Sequence, residues 1–200
     1  MKAAVCYLRA NAAKFNIDPA HIGIIGGSAG GYLTAMMGTT NGEKQFDVGE
    51  HLDESSDVQA ALDMYGLSDL TKVGDDYSDE VKAVHRSAGA TEALWVNGSP
   101  VFGGKDGGIL ANPEGAKAAN PITYISKNTA PFMFMHGTND TAVSPSQTNL
   151  LHEALCAHSI ASTRYVVPYA LHGGDYWVQP EVMKVIIAFF DKYLKGADGK

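Results

Sequence analysis

Apolar residues recur along this chain with two different periods, and the switching between them outlines its elements. Val5, Leu8, Ala12 and Phe15 return every three to four residues, which predicts an opening amphipathic helix. Asp18-Pro19 breaks that helix, and an unbroken apolar run from Ile22 to Gly26 then reads as a strand. Beyond Ser28 the helical period resumes, with Leu33, Met36 and Met37 inward and an end near Gly38. Val58 to Tyr65 is a second strand closed by Gly66, and Pro131 to His136 is a third, apolar enough to be buried on both faces. Ser144-Pro145 opens a helix with Leu150, Leu151, Ala154 and Leu155 inward, and Ser162 to Tyr169 is a further strand. Glu181 to Leu194 closes the chain as an amphipathic helix burying Val182, Val185, Ile186, Phe189 and Phe190. Strands alternating with helices predict an α/β fold with a mainly parallel sheet and helices on both faces.

One stretch resists this reading. Residues 66–130 are glycine-rich, punctuated by proline and without a clear period, so they read as an irregular insertion whose length permits a lid or short helices. At 200 residues, with no repeat and no linker, the chain reads as one domain, 1–200. Apolar content of 45% and charged content of 18% are those of a folded globular protein. A net charge of −7 without a basic run argues against nucleic-acid and anionic-membrane partners and favours a small neutral molecule. No stretch approaches the ~20 apolar residues of a membrane span. Residues 1–10 read as an amphipathic helix rather than a signal peptide, which leaves the compartment unassigned beyond cytoplasmic for the chain as written. Cys6 and Cys156 fall in helical patterns and read as small buried hydrophobes, not as a disulfide. No metal or organic cofactor is implied.

The chemistry begins at Gly26-Gly27-Ser28-Ala29-Gly30, a G-x-S-x-G between a strand and a helix. That context puts a serine on a strained turn as a nucleophile, with glycines where strand and helix must approach closely. Chance alone supplies the motif in roughly one such chain in seven, so partners are required. Asp140 follows the Pro131 strand, and His172 follows the Ser162 strand on a glycine-flanked loop. Each then sits at the carboxyl end of its own parallel strand, where ligand and catalytic loops collect. The order Ser28, Asp140, His172 is that of the strand-turn-helix serine hydrolases. Asp69 is the rival acid. His152 and His158 read as surface or capping residues, His136 as a structural hydrogen bonder, and His21, His51 and His85 as loop or turn residues. The Ala29 N–H, opening a helix, is one oxyanion donor. Tyr32, Trp95, Phe102, Tyr176 and Trp177 are candidates to line a substrate pocket, although core or surface packing is the simpler explanation of each.

These residues resemble the α/β-hydrolase superfamily, and within it the carbohydrate-esterase, feruloyl-esterase and acetylesterase-like branch. The resemblance rests on residues 18–31, 119–126 and 131–140, on His172-Gly-Gly and on the closing helix. It implies a serine ester hydrolase acting on short acyl esters, carbohydrate-linked ones among them. It also implies strands and a His-Gly-Gly-type loop ahead of the opening helix, the loop supplying a second oxyanion donor. Nothing precedes Met1 in this sequence, so the expectation is an N-terminally truncated α/β-hydrolase fold with activity impaired by the missing loop. The strand from Ile22 then lies at a sheet edge, which leads to the expectation of a dimer covering it. Two alternatives stand beside the esterase: a serine peptidase of the same superfamily, and a catalytically silent interaction or structural domain. A phosphate-binding role for the glycine turn lacks the required Lys-Ser/Thr ending.

Overall fold

The structure, a computed structural model, describes residues 1–195. The chain runs α1 (Lys2–Ala10), α2 (Ala12–Phe15), β1 (Gly23–Gly27), α3 (Ala29–Thr39), β2 (Ala60–Met64), α4 (Asp79–His85), α5 (Thr91–Asn97) and α6 (Pro113–Ala119). It continues through β3 (Phe132–Gly137), α7 (Ser146–Ala157), β4 (Ser162–Val167) and α8 (Pro180–Leu194). The strands pair in parallel in the order β1-β2-β3-β4, in registers that include Gly27 with Met64, Met64 with Met135 and Gly137 with Val167. This is the α/β-hydrolase sheet with helices on both faces. Because the strands are parallel, the loops carrying Ser28, Asp140 and His172 leave from one end of the sheet.

Alternation along the two central strands divides the interior into two layers. Ala61, Phe132 and Phe134 face Val5 of α1, Ala35 and Met37 of α3, and Leu151 and Leu155 of α7. Leu62, Met64, Met133 and Met135 face the opposite side, where Trp177 and Ile186 and Phe189 of α8 cover them. Each such large side chain taken from water contributes roughly 1.5–3 kcal/mol. β1 is the edge of the described sheet, and its Ile25 is 46% exposed.

The buried faces of the helices differ from the sequence expectation in three places. In α3 the stripe against the sheet is Gly31, Thr34, Ala35 and Gly38, while Leu33 is exposed. Small residues win there because the helix lies so close that a Cβ on Gly38 would come 2.5 Å from the Phe132 ring. The opening helix breaks at Asn11 into α1 and α2, so Phe15 leaves the apolar face and lies exposed against the Tyr7 ring. In its place Lys2 is buried, its Nζ donating to the carbonyls of Thr40 and Glu43 and to Ser56 Oγ, which ties α1 to the end of α3. Cys6 is buried as expected, but Cys156 sits on the outer face of α7 and is exposed.

The insertion between β2 and β3 is folded rather than irregular. Leu67, Leu70, Val73, Ala93, Ile109 and Ala116 form a small core of their own, joined by Val143 from the loop after β3. Asn112 caps α6 by accepting from the Gly115 N–H, and Pro113 follows it at the first helical position. Among the described residues no helix is long and apolar enough to cross a membrane.

Candidate active site

Ser28 closes β1 and opens α3 with φ 58° and ψ −121°, a backbone conformation that costs a non-glycine residue about 1–3 kcal/mol. Its N–H donates to the Met64 carbonyl at 2.9 Å, extending the β1–β2 ladder by one bond and holding the turn in place. The turn also needs its glycines. A Cβ on Gly26 would lie 2.3 Å from the Gly30 carbonyl oxygen. One on Gly31 would lie 2.3 Å from Asp63 Oδ1 and 2.8 Å from the Gly66 Cα. Ordinary side chains would therefore force strand, helix and the loop after β2 apart.

The three loops bring their side chains into one hydrogen-bonded line. His172 Nε2 lies 2.8 Å from Ser28 Oγ, and its Nδ1 lies 2.8 Å from Asp140 Oδ2. Asp140 is buried, which by itself opposes ionisation. Hydrogen bonds from His136 and His172, and from the Val143 and Ala142 N–H groups, outweigh burial and hold the carboxyl well below the usual carboxylate range. An ionised acid at that position accepts a hydrogen bond from Nδ1–H of His172, which keeps the proton on Nδ1 and leaves Nε2 as the acceptor facing the serine hydroxyl. Tyr65, left-handed at φ 43°, lays its ring edge-on to His172 at 4.9 Å and fixes the imidazole from the side. Tyr77 donates from its hydroxyl to the Asp140 carbonyl at 3.0 Å and steadies that loop. Neither tyrosine carries a motif that a sequence reading would single out.

The rival residues are committed elsewhere. Asp69 accepts from Thr71 and from Asn120 Nδ2 at the base of the insertion. His136 is buried between Thr148 Oγ1 and the Val143 carbonyl and supports Asp140 from behind at 3.2 Å. His152 meets Ser162 Oγ, His158 the Ala154 carbonyl and His21 the Asp18 carboxylate. His51 packs its ring beside Tyr7. His85 departs from the expectation: it ends α4 rather than lying in a loop, and it lines the cavity over Ser28.

That cavity measures about 300 Å³ and contains Ser28, Ala29 and His172 in its wall. Leu67, Val73, Trp95 and Val143 make it mainly apolar, with His85 and Glu92 as its polar side. Of the aromatic candidates, Trp95 lines it, and Tyr32 stands behind Trp95 in an adjoining hollow of about 180 Å³. Tyr32 also donates to the Ala119 carbonyl, locking α3 to α6. The other three lie outside. Phe102 is 90% exposed on the insertion, Tyr176 is exposed beyond His172, and Trp177 is core, its ring against Tyr65 and its Nε1 donating to the Leu171 carbonyl. Phe102 and Tyr176 lie in short 3₁₀ helices at the surface, where their aromatic character carries no positional information. Among the described residues no group of three or more His, Cys, Asp or Glu side chains is placed to hold a metal ion.

Three comparisons bear on this arrangement. The BD-FAE family model matches residues 1–155. Esterase LipC of Mycobacterium tuberculosis (strain ATCC 25618 / H37Rv) is 32% identical over 178 residues, covering 88% of this chain and 40% of LipC. The chain spans about two-fifths of the length of the curated relatives it matches. Among solved structures, a truncated form of a carbohydrate esterase from gut microbiota superposes with a TM-score of 0.82 at 29% identity, covering 96% of this chain and 66% of that one. A bifunctional GH43-CE protein of Bacteroides eggerthii superposes with a TM-score of 0.81 at 32% identity, covering 96% and 24% respectively.

Proposed function

This chain belongs to the BD-FAE family, within the esterase branch of the α/β-hydrolases, and from that premise we propose that it is a serine carboxylic-ester hydrolase acting on short acyl esters. The observation that carries the reading is the continuous line Ser28–His172–Asp140, two contacts of 2.8 Å, opening on a cavity of about 300 Å³. A cavity of that size is at the small end for ligand sites, which suits a short acyl group better than a long chain. The names of two solved relatives, both carbohydrate esterases or fusions with a CE module, support acyl groups carried on carbohydrate.

In this reading Ser28 Oγ attacks the ester carbonyl while His172 Nε2 takes its proton. Negative charge collects on the carbonyl oxygen, and the N–H of Ala29, which opens α3 and lines the cavity, is the oxyanion donor in this reading. Collapse of the tetrahedral species breaks the bond to the alcohol oxygen, which leaves with the proton from His172. Water then repeats the sequence on the acyl-serine and releases the acid. Asp140, ionised throughout, holds the imidazole tautomer and stabilises the imidazolium.

Hydrolysis of p-nitrophenyl acetate by a size-fractionated sample, beside Ser28→Ala, tests the proposal. The expected result is turnover that the substitution abolishes, together with labelling of Ser28 by a fluorophosphonate. A folded sample that neither turns over nor labels would refute it and favour the silent-domain alternative.

A further inference from the structure

A second imidazole stands in the wall of the same cavity, and its surroundings define one hydrogen-bonding role for it. His85 ends α4, and its Nδ1 lies 2.8 Å from Oε1 of Glu92 on α5. Glu92 is 3% exposed, whereas the His85 side chain keeps 19% of its surface, and both residues line the cavity that holds Ser28 and His172. The ring is held on other sides as well. Tyr77 lies beside it at 6.2 Å, and Gly74, left-handed at φ +88°, comes so close that a Cβ there would sit 2.8 Å from Cδ2. Among the described residues Nε2 has no hydrogen-bond partner.

A carboxylate only accepts hydrogen bonds, so Glu92 requires the proton on Nδ1 and leaves Nε2 of the neutral ring as an acceptor. An unpartnered acceptor on a residue that lines a mainly apolar cavity calls for a donor from the ligand. We propose that His85 is a specificity-determining residue which accepts a hydrogen bond from a free hydroxyl on the alcohol portion of the ester, Glu92 being its positioning residue. The assignment rests on the ester-hydrolase reading. A short acyl group fills only part of about 300 Å³, so the rest of the wall, His85 included, is left to the alcohol. The substrate class is therefore an ester of a polyol rather than of a simple aliphatic alcohol. A site built around a ligand hydroxyl discriminates strongly against an analogue that lacks it, because the buried partner is then left unpaired.

Binding to the whole chain carrying Ser28→Ala tests this without turnover. The probes are a monoacetylated methyl pentopyranoside with its remaining hydroxyls free, and the same compound with those hydroxyls methylated. The readout is quenching of Trp95, which lines the cavity, with Trp177 buried in the core as the constant background. We expect the free-hydroxyl probe to bind on the order of tenfold more tightly. The double change His85→Phe and Glu92→Gln, which keeps a ring and strands no buried charge, should erase the preference. Equal affinity for the two probes, or a preference that survives the double change, would overturn the assignment. Should that variant fold poorly, the ¹⁵N shift of His85 Nε2 in the Ser28→Ala protein decides: movement with the free-hydroxyl probe alone supports the role, and no movement overturns it. Turnover by the unsubstituted chain is scored separately. An inactive protein that keeps the hydroxyl preference would sink the hydrolase reading alone, and an active one without it would sink only the role of His85.

Discussion

Replacing Asp63 with asparagine should reverse the sign of a stability difference between acid and alkaline pH. Asp63 lies near the end of β2, directly beneath the serine turn, wedged where Cβ atoms on Gly31 and Gly66 would each fall 2.3 Å from its Oδ1. It is 1% exposed; Oδ1 accepts from the Gly66 N–H at 2.8 Å, and Oδ2 has no partner. Burial pushes its pKa up to about 7, with the Gly66 bond pulling weakly the other way. In the unfolded chain an aspartate titrates near 3.9. Between those values the native state holds a proton that the unfolded state has released, so stability falls as pH rises, by up to about 1.36 kcal/mol per pH unit. Above about pH 7 both states are ionised and the loss levels off, at about 4 kcal/mol relative to acid conditions. The replacing asparagine cannot ionise and still accepts from Gly66. Its amide nitrogen takes the unpartnered position at a pH-independent cost of about 1–3 kcal/mol. The variant should thus be less stable than the parent near pH 4.5 and more stable near pH 8.5. Urea unfolding followed by far-ultraviolet circular dichroism, in half-unit steps between those limits, measures the difference directly, since all other groups titrate alike in both proteins. A difference that stays flat to within about 0.5 kcal/mol across that range would refute the argument, because a neutralised Asp63 is what creates the slope.

The site and its turn lead to three further outcomes. Asp140→Asn should lower kcat on p-nitrophenyl acetate by on the order of 10³–10⁴ through loss of the His172 tautomer, and a fall of less than tenfold would contradict its role. Because the Asp140 carboxyl is held below the usual range, the stability it contributes is present above the ordinary aspartate value and lost as pH falls below it. The parent should therefore lose stability below about pH 4 more steeply than Asp140→Asn; parallel acid titrations of the two check this, and coincident slopes would contradict it. Gly26→Ala and Gly30→Ala form a matched pair in one motif. The first should cost about 1–3 kcal/mol by urea midpoint, because its Cβ meets the Gly30 carbonyl. The second, which meets nothing within 4 Å in a helix, should gain about 0.5–1 kcal/mol, and equal effects would undo the close-approach argument.

The elements were legible where a long apolar signal had no competitor. β3, with all six residues buried, reads from its unbroken hydrophobic run, and α8 reads from its period. The insertion was not legible. Its helices are only seven residues long and take their core from Leu67, Ile109 and Val143, which are far apart in sequence, so no local period can record them. On α3 the expectation failed at Leu33, which is exposed although Met37 is buried as expected, for a related reason. Close packing against Phe132 rewards the absence of a side chain, and a hydrophobicity pattern cannot register that.

At the site the division falls along the same line. Ser28, Asp140 and His172 could be ordered from the sequence because each residue type follows an apolar strand, and parallel strands deliver their loops to one end. What the sequence determined was the membership and order of this hydrogen-bonded line. Its surroundings were decided by tertiary structure alone: Tyr65 against the imidazole, His136 behind Asp140, the buried Asp63 beneath the turn, and His85 tethered to Glu92 in the cavity wall. Motifs record constraints within a few residues of chain, whereas these contacts join segments brought together only by the packing of the insertion and the sheet.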